Sequence, residues 1–259
     1  MVRNSLIMAM GLCVAFAAAG GSAKAASLAA AIDAAVADPA RPDADRQRDM
    51  DRKPAATIAF AGVKPGGVVG ELLPGGGYFT RILSKLVGDK GHVYALVPPR
   101  PPTAPAGALA PAARIKAFAD DPGYANVSVL VLPLNEVSFP APLDLVWTSQ
   151  NYHDLHNIPG FDLAAFNKRI FDSLKPGGVY LVLDHVAAPD SGVRDTSTLH
   201  RIDPQIVKQE VLAAGFVLEA SSDLLRRADD PHTAGVRDAA IRGRTDQFIL
   251  KFRKPRGKH

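Results

Sequence analysis

The sequence predicts an α/β fold: a seven-stranded, mostly parallel sheet with an antiparallel edge strand and helices on both faces. Three observations point to it. From residue 67 to residue 221, short apolar runs alternate with amphipathic stretches, the order expected when helices carry the chain between parallel strands. The first apolar run ends in Pro74-Gly75-Gly76-Gly77, residues suited to a tight strand-to-helix turn. The last run, Thr245 to Phe252, follows no helix and alternates polar with apolar residues. It therefore suits an edge position, paired antiparallel to the sixth strand.

The elements follow in order. Residues 1–25 combine Arg3, an uncharged apolar run from Leu6 to Ala19 and the small-x-small triplet Ala23-Lys24-Ala25. That is the pattern of a secretory signal peptide, cleaved near Ala25, and it places the mature chain outside the cytoplasm, secreted or periplasmic. The run is shorter than the roughly 20 residues a spanning helix needs, so no stable membrane insertion is expected. Residues 26–61 read as an N-terminal helical cap: Ser27 to Val36, then Asp43 to Ala61, bent or restarted at Pro54. Residues 62–253 read as the α/β domain and 254–259 as a basic tail. Within the domain the strands are Gly67–Leu73, His92–Val97, Val127–Leu132, Leu143–Thr148, Val179–Asp184, Phe216–Ser221 and Thr245–Phe252. The helices are Tyr78–Val87, where Phe79, Ile82, Leu83 and Leu86 recur at three and four, then Ala112–Phe118, Phe161–Leu174 and Pro204–Ala214.

Charge narrows the function. The whole chain has 30 basic and 26 acidic residues, but Arg3 and Lys24 lie in the signal segment and five bases fall in the last nine positions. Residues 26–250 then carry 23 bases against 26 acids. A nucleic acid partner needs a clustered basic face, and none is expected. The single cysteine, Cys13, lies in the signal segment, so the mature chain has no thiolate chemistry and no disulfide.

Several separated motifs fall at element ends: Arg52-Lys53-Pro54, Pro74 to Thr80, Asn151-Tyr152-His153-Asp154, Leu174 to Gly178, Asp184-His185, Leu199 to Asp203 and Thr245-Asp246. In these the chain resembles the Rossmann-like class I methyltransferases that bind S-adenosylmethionine (SAM), most closely a family of secreted or periplasmic bacterial predicted methyltransferases. The resemblance covers about residues 43 to 255. It implies methyl transfer from SAM to a small organic acceptor, with Glu71 and Gly75, Gly76 and Gly77 around the amino-acid end of the cofactor. Two departures stand out. Leu73 occupies the place of an expected glycine, and the second strand ends Leu96-Val97-Pro98-Pro99, without the acid that would hold the ribose hydroxyls. Charge-assisted bonds of that kind contribute about 1.5–3 kcal/mol.

In open α/β sheets ligands bind beyond the carboxyl ends of the strands. There the sequence places Glu71, then Asn151, Tyr152, His153, Asp154 and His156, then Asp184 and His185, then His200, Arg201 and Asp203. Two chemistries fit. In one, His153 or His185 is a general base oriented by Asp154 or Asp184, with His200 nearby and Tyr152 donating to a developing oxyanion. In the other, Asp154, Asp184 and His185 hold a divalent metal, joined by His153 or His200. Arg201, Asn151, Arg52 and Tyr78 are the candidate substrate contacts, Arg201 through a bidentate grip on a carboxylate. Arg201 could instead pair with Asp203. His232 reads as surface, Trp147 and Phe79 as core. Two functions stay open: SAM-dependent methylation of a small molecule, or an exported hydrolase, lyase or isomerase that works without SAM on the same fold.

Overall fold

The computed structural model describes residues 15–257, with side chains from residue 24 onward. The start of the expected signal segment lies outside the described residues. The helices are α1 (Ala15–Val36), α2 (Asp43–Arg46), α3 (Asp49–Arg52), α4 (Pro54–Ala61), α5 (Tyr78–Val87), α6 (Pro111–Ala119), α7 (Tyr152–Leu155), α8 (Leu163–Ser173) and α9 (Pro204–Ala213). The strands are β1 (Val68–Leu72), β2 (His92–Val97), β3 (Val127–Val131), β4 (Leu143–Ser149), β5 (Leu174–His185), β6 (Val217–Ser222) and β7 (Gln247–Arg253). They form one sheet in the order β3-β2-β1-β4-β5-β7-β6, parallel from β3 through β5.

The expected architecture holds, with a refinement at one end. Strand β7 does pair antiparallel with β6, but it also pairs antiparallel with β5, so it lies one place in and β6 is outermost. Burial explains the placement. Phe248, Ile249, Leu250 and Phe252 of β7 are buried, whereas Val217 and Leu218 of β6 are exposed. The polar residues that suggested an edge have other partners: Gln247 is buried at the sheet rim, and Lys251 and Arg253 both reach Glu219.

The N-terminal region also differs from expectation. Helix α1 begins at Ala15, ahead of the expected start at Ser27, and ends at the expected Val36. The segment from Asp43 to Ala61 restarts at Pro54, one of the two expected outcomes, because Lys53 adopts φ 44°, a left-handed value, immediately before α4; its polar half is two short helices, α2 and α3, rather than one. Arg46 therefore does not share a helix face with Asp49 and Arg52. At the start of the tail Lys254 Nζ donates to the carbonyls of Phe171 and Leu174, next to the end of β7, where Arg253 donates to Gly177 O. Among the described residues no helix is long and apolar enough to cross a membrane.

Alternation along the strands divides the core between two faces. On one, Val69, Val93, Leu145, Trp147, Leu181 and Ile249 pack with α5 and with Ile32, Ile58 and Ala61 of the N-terminal helices. On the other, Leu143, Val146, Tyr180, Val182 and Phe252 pack with Phe166 and Ile170 of α8 and Val207 and Val211 of α9. Asp162 and Asp203 cap α8 and α9, accepting from the amides of Ala165 and Gln205. Gly70, in the middle of β1, is where the second layer comes closest: a β-carbon there would lie 2.7 Å from Leu143 Cδ1 and 2.8 Å from the Phe139 ring. Gly70→Val is expected to lower the unfolding free energy by about 1–3 kcal/mol through overpacking, read from urea denaturation; an unchanged midpoint would show that this layer yields freely.

Candidate functional site

The strand order reverses between β1 and β4, which opens a crevice at their carboxyl ends. Most of the residues singled out from the sequence converge there, in two groups.

The first group surrounds Glu71. Its side chain is buried and accepts a 2.6 Å hydrogen bond from Thr80 Oγ1. Burial pushes the carboxyl up to about 7, against the opposing pull of the Thr80 hydroxyl and the Arg52 charge. Arg52 lies over the ring of Tyr78, 4.4 Å from its centroid, and 5.2 Å from that of Phe79. It donates to Gln150 Oε1 at 2.6 Å, and Gln150 donates onward to Gln247 Oε1. The Tyr78 hydroxyl bonds Asp49, which Arg41 grips through both oxygens at 2.7 and 2.8 Å. A chain of polar contacts thus ties the N-terminal helices to the sheet rim, and it consumes Tyr78, which has no hydroxyl left for a substrate.

The arrangement tests the fit of SAM. The space bounded by Arg52, Glu71, Leu73, Tyr78 and Asn151 is only about 30 Å³, against the roughly 300–1,000 Å³ of ordinary ligand pockets. Leu73 has φ 51°, a left-handed value that favours glycine, at a cost of about 1–2 kcal/mol. Gly75 and Gly77 share that hand, at φ 62° and 82°. Gly77 abuts Phe118, whereas a β-carbon at Gly75 or Gly76 would meet open space. Asn151 spends its amide on the carbonyls of Leu73 and Ser149, locking the ends of β1 and β4 together. With no carboxylate after Val97, the residues present do not fit SAM in the position the resemblance implies.

The second group is built on Asp184, which has no solvent exposure. It accepts from the His153 amide at 2.8 Å, from His153 Nδ1 at 2.8 Å and from the His185 amide at 2.8 Å. The remaining nitrogen of His153, Nε2, lies 3.2 Å from Asp154 Oδ1 and 3.3 Å from His200 Nδ1. Burial works against a charge on His153, but Asp184 and Asp154 outweigh it and hold the ring up at about 10, an imidazolium at neutral pH. Asp154, though partly buried, is held below the ordinary carboxylate range by His153 and His200. His185 is the opposite case: burial drives it down to about 4 despite Asp184, so it is neutral. Its Nδ1 bonds Thr245 Oγ1 at 2.8 Å, and its ring centroid is 6.2 Å from that of His153.

Metal ligation would use different residues from those expected. Asp184 is committed to His153 and the His185 amide, and His185 Nδ1 to Thr245, so Asp154, Asp184 and His185 do not converge. His153, Asp154 and His200 do. Their donor atoms stand 3.2, 3.3 and 3.5 Å apart, close to the about 3.3 Å between ligands of a tetrahedral zinc ion. Asp184 behind His153 would then orient the ligand ring. The same spacing also suits a shared proton.

Other expectations are corrected. Arg201 is fully buried and cannot reach a substrate: it pairs with Asp230 at 2.9 Å, not Asp203, and donates to the carbonyls of Ala234 and Val186. Tyr152 faces the α8–α9 layer, where its hydroxyl bonds Glu210 and Asn167, so it is no oxyanion donor. His232 is partly buried and bonds Asp246 at 3.0 Å. Phe79 and Trp147 are core, with ring centroids 4.6 Å apart.

A cavity of about 560 Å³ opens beside His185, lined by Arg48, Asp51, Arg52, Gln150, Arg242 and Gln247 among others. Sequence reading did not single out Gln150, Gln247, Thr245 or Arg242 as site residues. The first three stand at the ends of β4 and β7, a position that was legible; Arg242 lies in an irregular loop with no periodicity to mark it.

No family model matches the sequence, and no curated protein matches it. Solved structures do. A SAM-dependent methyltransferase of Aquifex aeolicus aligns with a TM-score of 0.56 at 19% identity, over 79% of this chain and 92% of that one. A candidate sarcosine dimethylglycine methyltransferase of Galdieria sulphuraria gives 0.57 at 17%, over 80% and 85%. The [4+2]-cyclase SpnF gives 0.55 at 17%, over 83% and 82%. The fold is therefore the Rossmann-like fold of class I SAM methyltransferases; identities this low establish the architecture alone.

Glu71 generates a stability prediction. Its folded value, about 7, lies above the ordinary 4.5. Stability is then fully present below pH 4.5 and is lost as the pH rises through 7, by roughly 3 kcal/mol. Glu71→Gln is expected to abolish that loss, so the melting temperatures of the two proteins diverge between pH 4.5 and 8 with the variant higher. Parallel curves would mean that Arg52 neutralises the carboxylate after all.

Proposed function

We propose that this chain is an exported acid–base enzyme that converts a small organic molecule without SAM, as an isomerase, lyase or hydrolase. The observation that carries this reading is the His153–His185 pair: two rings on either side of one buried carboxylate, one held by it and the other by Thr245, in opposite protonation states. Environments that push two neighbouring titratable groups apart assign the acid and the base. His185, neutral and facing the cavity, takes a proton from the substrate. His153 lies outside the cavity lining and supplies one by way of His200 Nδ1, at 3.3 Å, and the solvent of the rim. The cycle closes when protonated His185 releases its proton to solvent and His153 regains one through His200. Export rests on the signal-like N terminus. The methyltransferase fold does not oppose the reading, since one similar solved structure is a [4+2]-cyclase.

Nuclear magnetic resonance titration of the imidazoles tests the pair directly. His153 is expected to stay protonated beyond pH 8 and His185 to stay neutral down to about pH 5, with Asp184→Asn lowering His153 sharply. Two histidines titrating together near 6.5 would end this assignment.

A second reading, methyl transfer, is favoured by the open approach to Gly75 and Gly76 and by a cavity of about 460 Å³ between Pro98-Pro99 and Pro133-Leu134. Calorimetric titration with SAM and with its demethylated product separates the two. No heat at millimolar ligand is expected; micromolar binding that disappears in Glu71→Ala would replace the SAM-independent reading with the methyltransferase one.

A further inference from the structure

The cavity beside His185 has an unbalanced charge. Of its three arginines, Arg52 and Arg242 have no acidic partner among the described residues, and Arg48 has only Asp45, at 3.7 Å. The one acid in the lining, Asp51, is taken by Arg227 at 2.8 Å. His185 adds no charge, and Gln47, Gln150 and Gln247 add amides. Arg52 is the telling case. It is partly buried, its hydrogen-bond partner is a neutral amide, and burial pushes it down to about 10 while leaving it charged. Asp45 and Glu71 attract it from farther off, but neither forms an ion pair with it, and a desolvated cation without a direct partner gains most from a ligand that supplies one.

The kind of anion follows from what lines the walls. Phosphate sites commonly rest on successive backbone N–H groups at a helix start or a glycine nest. This cavity is walled by side chains, with Gly243 its one glycine. Planar guanidinium forks and carboxamides match carboxylate oxygens. Two unpaired arginines call for two negative charges, and about 560 Å³ accommodates a small aliphatic molecule.

We propose that the cavity lined by Arg52, Arg242, His185 and Gln247 is the substrate site and takes a small dicarboxylate, one carboxylate on each unpaired arginine. This rests on the acid–base reading for what happens next, but binding is separable from turnover. Arg242, exposed on its loop, selects the ligand; Arg52, stacked on Tyr78, is the fixed end.

The test is calorimetric titration of the full chain with succinate, propionate, succinamide and inorganic phosphate at constant ionic strength. Saturable succinate binding is expected, at least tenfold tighter than propionate, with succinamide and phosphate silent. Arg242→Met should weaken succinate at least tenfold and leave the melting temperature unchanged, since the side chain has no structural partner. Phosphate binding as tightly as succinate, succinamide binding equally well, or an unaffected Arg242→Met would each overturn the proposal. No succinate binding alongside split His153 and His185 titrations would overturn the ligand assignment alone; succinate binding alongside unsplit histidines would overturn the acid–base reading alone.

Discussion

A carboxylate sealed from solvent organises this site. Asp184 ends β5 with no exposed surface, in a setting where an uncompensated charge would be very costly. Three N–H donors answer it, and each fixes something different. The His153 amide sets where the chain turns after β4 into α7. The His153 ring takes its tautomer and its charge from the same oxygens. The His185 amide fixes the strand end from which the second imidazole projects. Charge and backbone geometry are therefore coupled: Asp184 cannot be neutralised without changing the protonation of one histidine and the anchorage of both.

A second set of contacts holds the opposite wall. Arg41, Asp49, Tyr78, Arg52 and Gln150 link the N-terminal helices to the ends of β1 and β4. They place a guanidinium where the resemblance would seat the amino-acid end of SAM. The space beside Glu71 is then too small for a cofactor, and the open volume lies instead between Arg52, His185 and the loop carrying Arg242. That loop is itself pinned by charge. Arg201 and Asp230 form a buried pair, and the Asp246 amide and the His232 amide both donate to Asp230. Breaking such a pair costs about 3–5 kcal/mol, which suits a role in holding the rim rather than in meeting ligands.

Fold similarity and site chemistry carry different weight here. Solved structures at 17% and 19% identity share the fold, and a fold does not fix a reaction. What shapes this site is local: Leu73 at φ 51°, prolines after Val97, and two histidines driven in opposite directions by burial and by nearby carboxylates.

By itself the sequence determined the sheet and most of its helices, because hydrophobic period and strand-end turns are local properties. Tyr78–Val87 and His92–Val97 needed no tertiary information, and Asp184-His185 was recognisable at a strand end. Tertiary structure decided whatever depends on which distant group arrives. Arg201 read as a substrate contact until Asp230, 29 residues away, neutralised it. Tyr152 read as an oxyanion donor until α8 and α9 claimed its hydroxyl. The strand from Gln247 to Arg253 read as an edge because its polar residues do not announce their partners, Glu219 and Gln150. The protonation states of His153 and His185 were equally hidden: the two side chains are alike in sequence, and only the balance of burial against nearby carboxylates separates them.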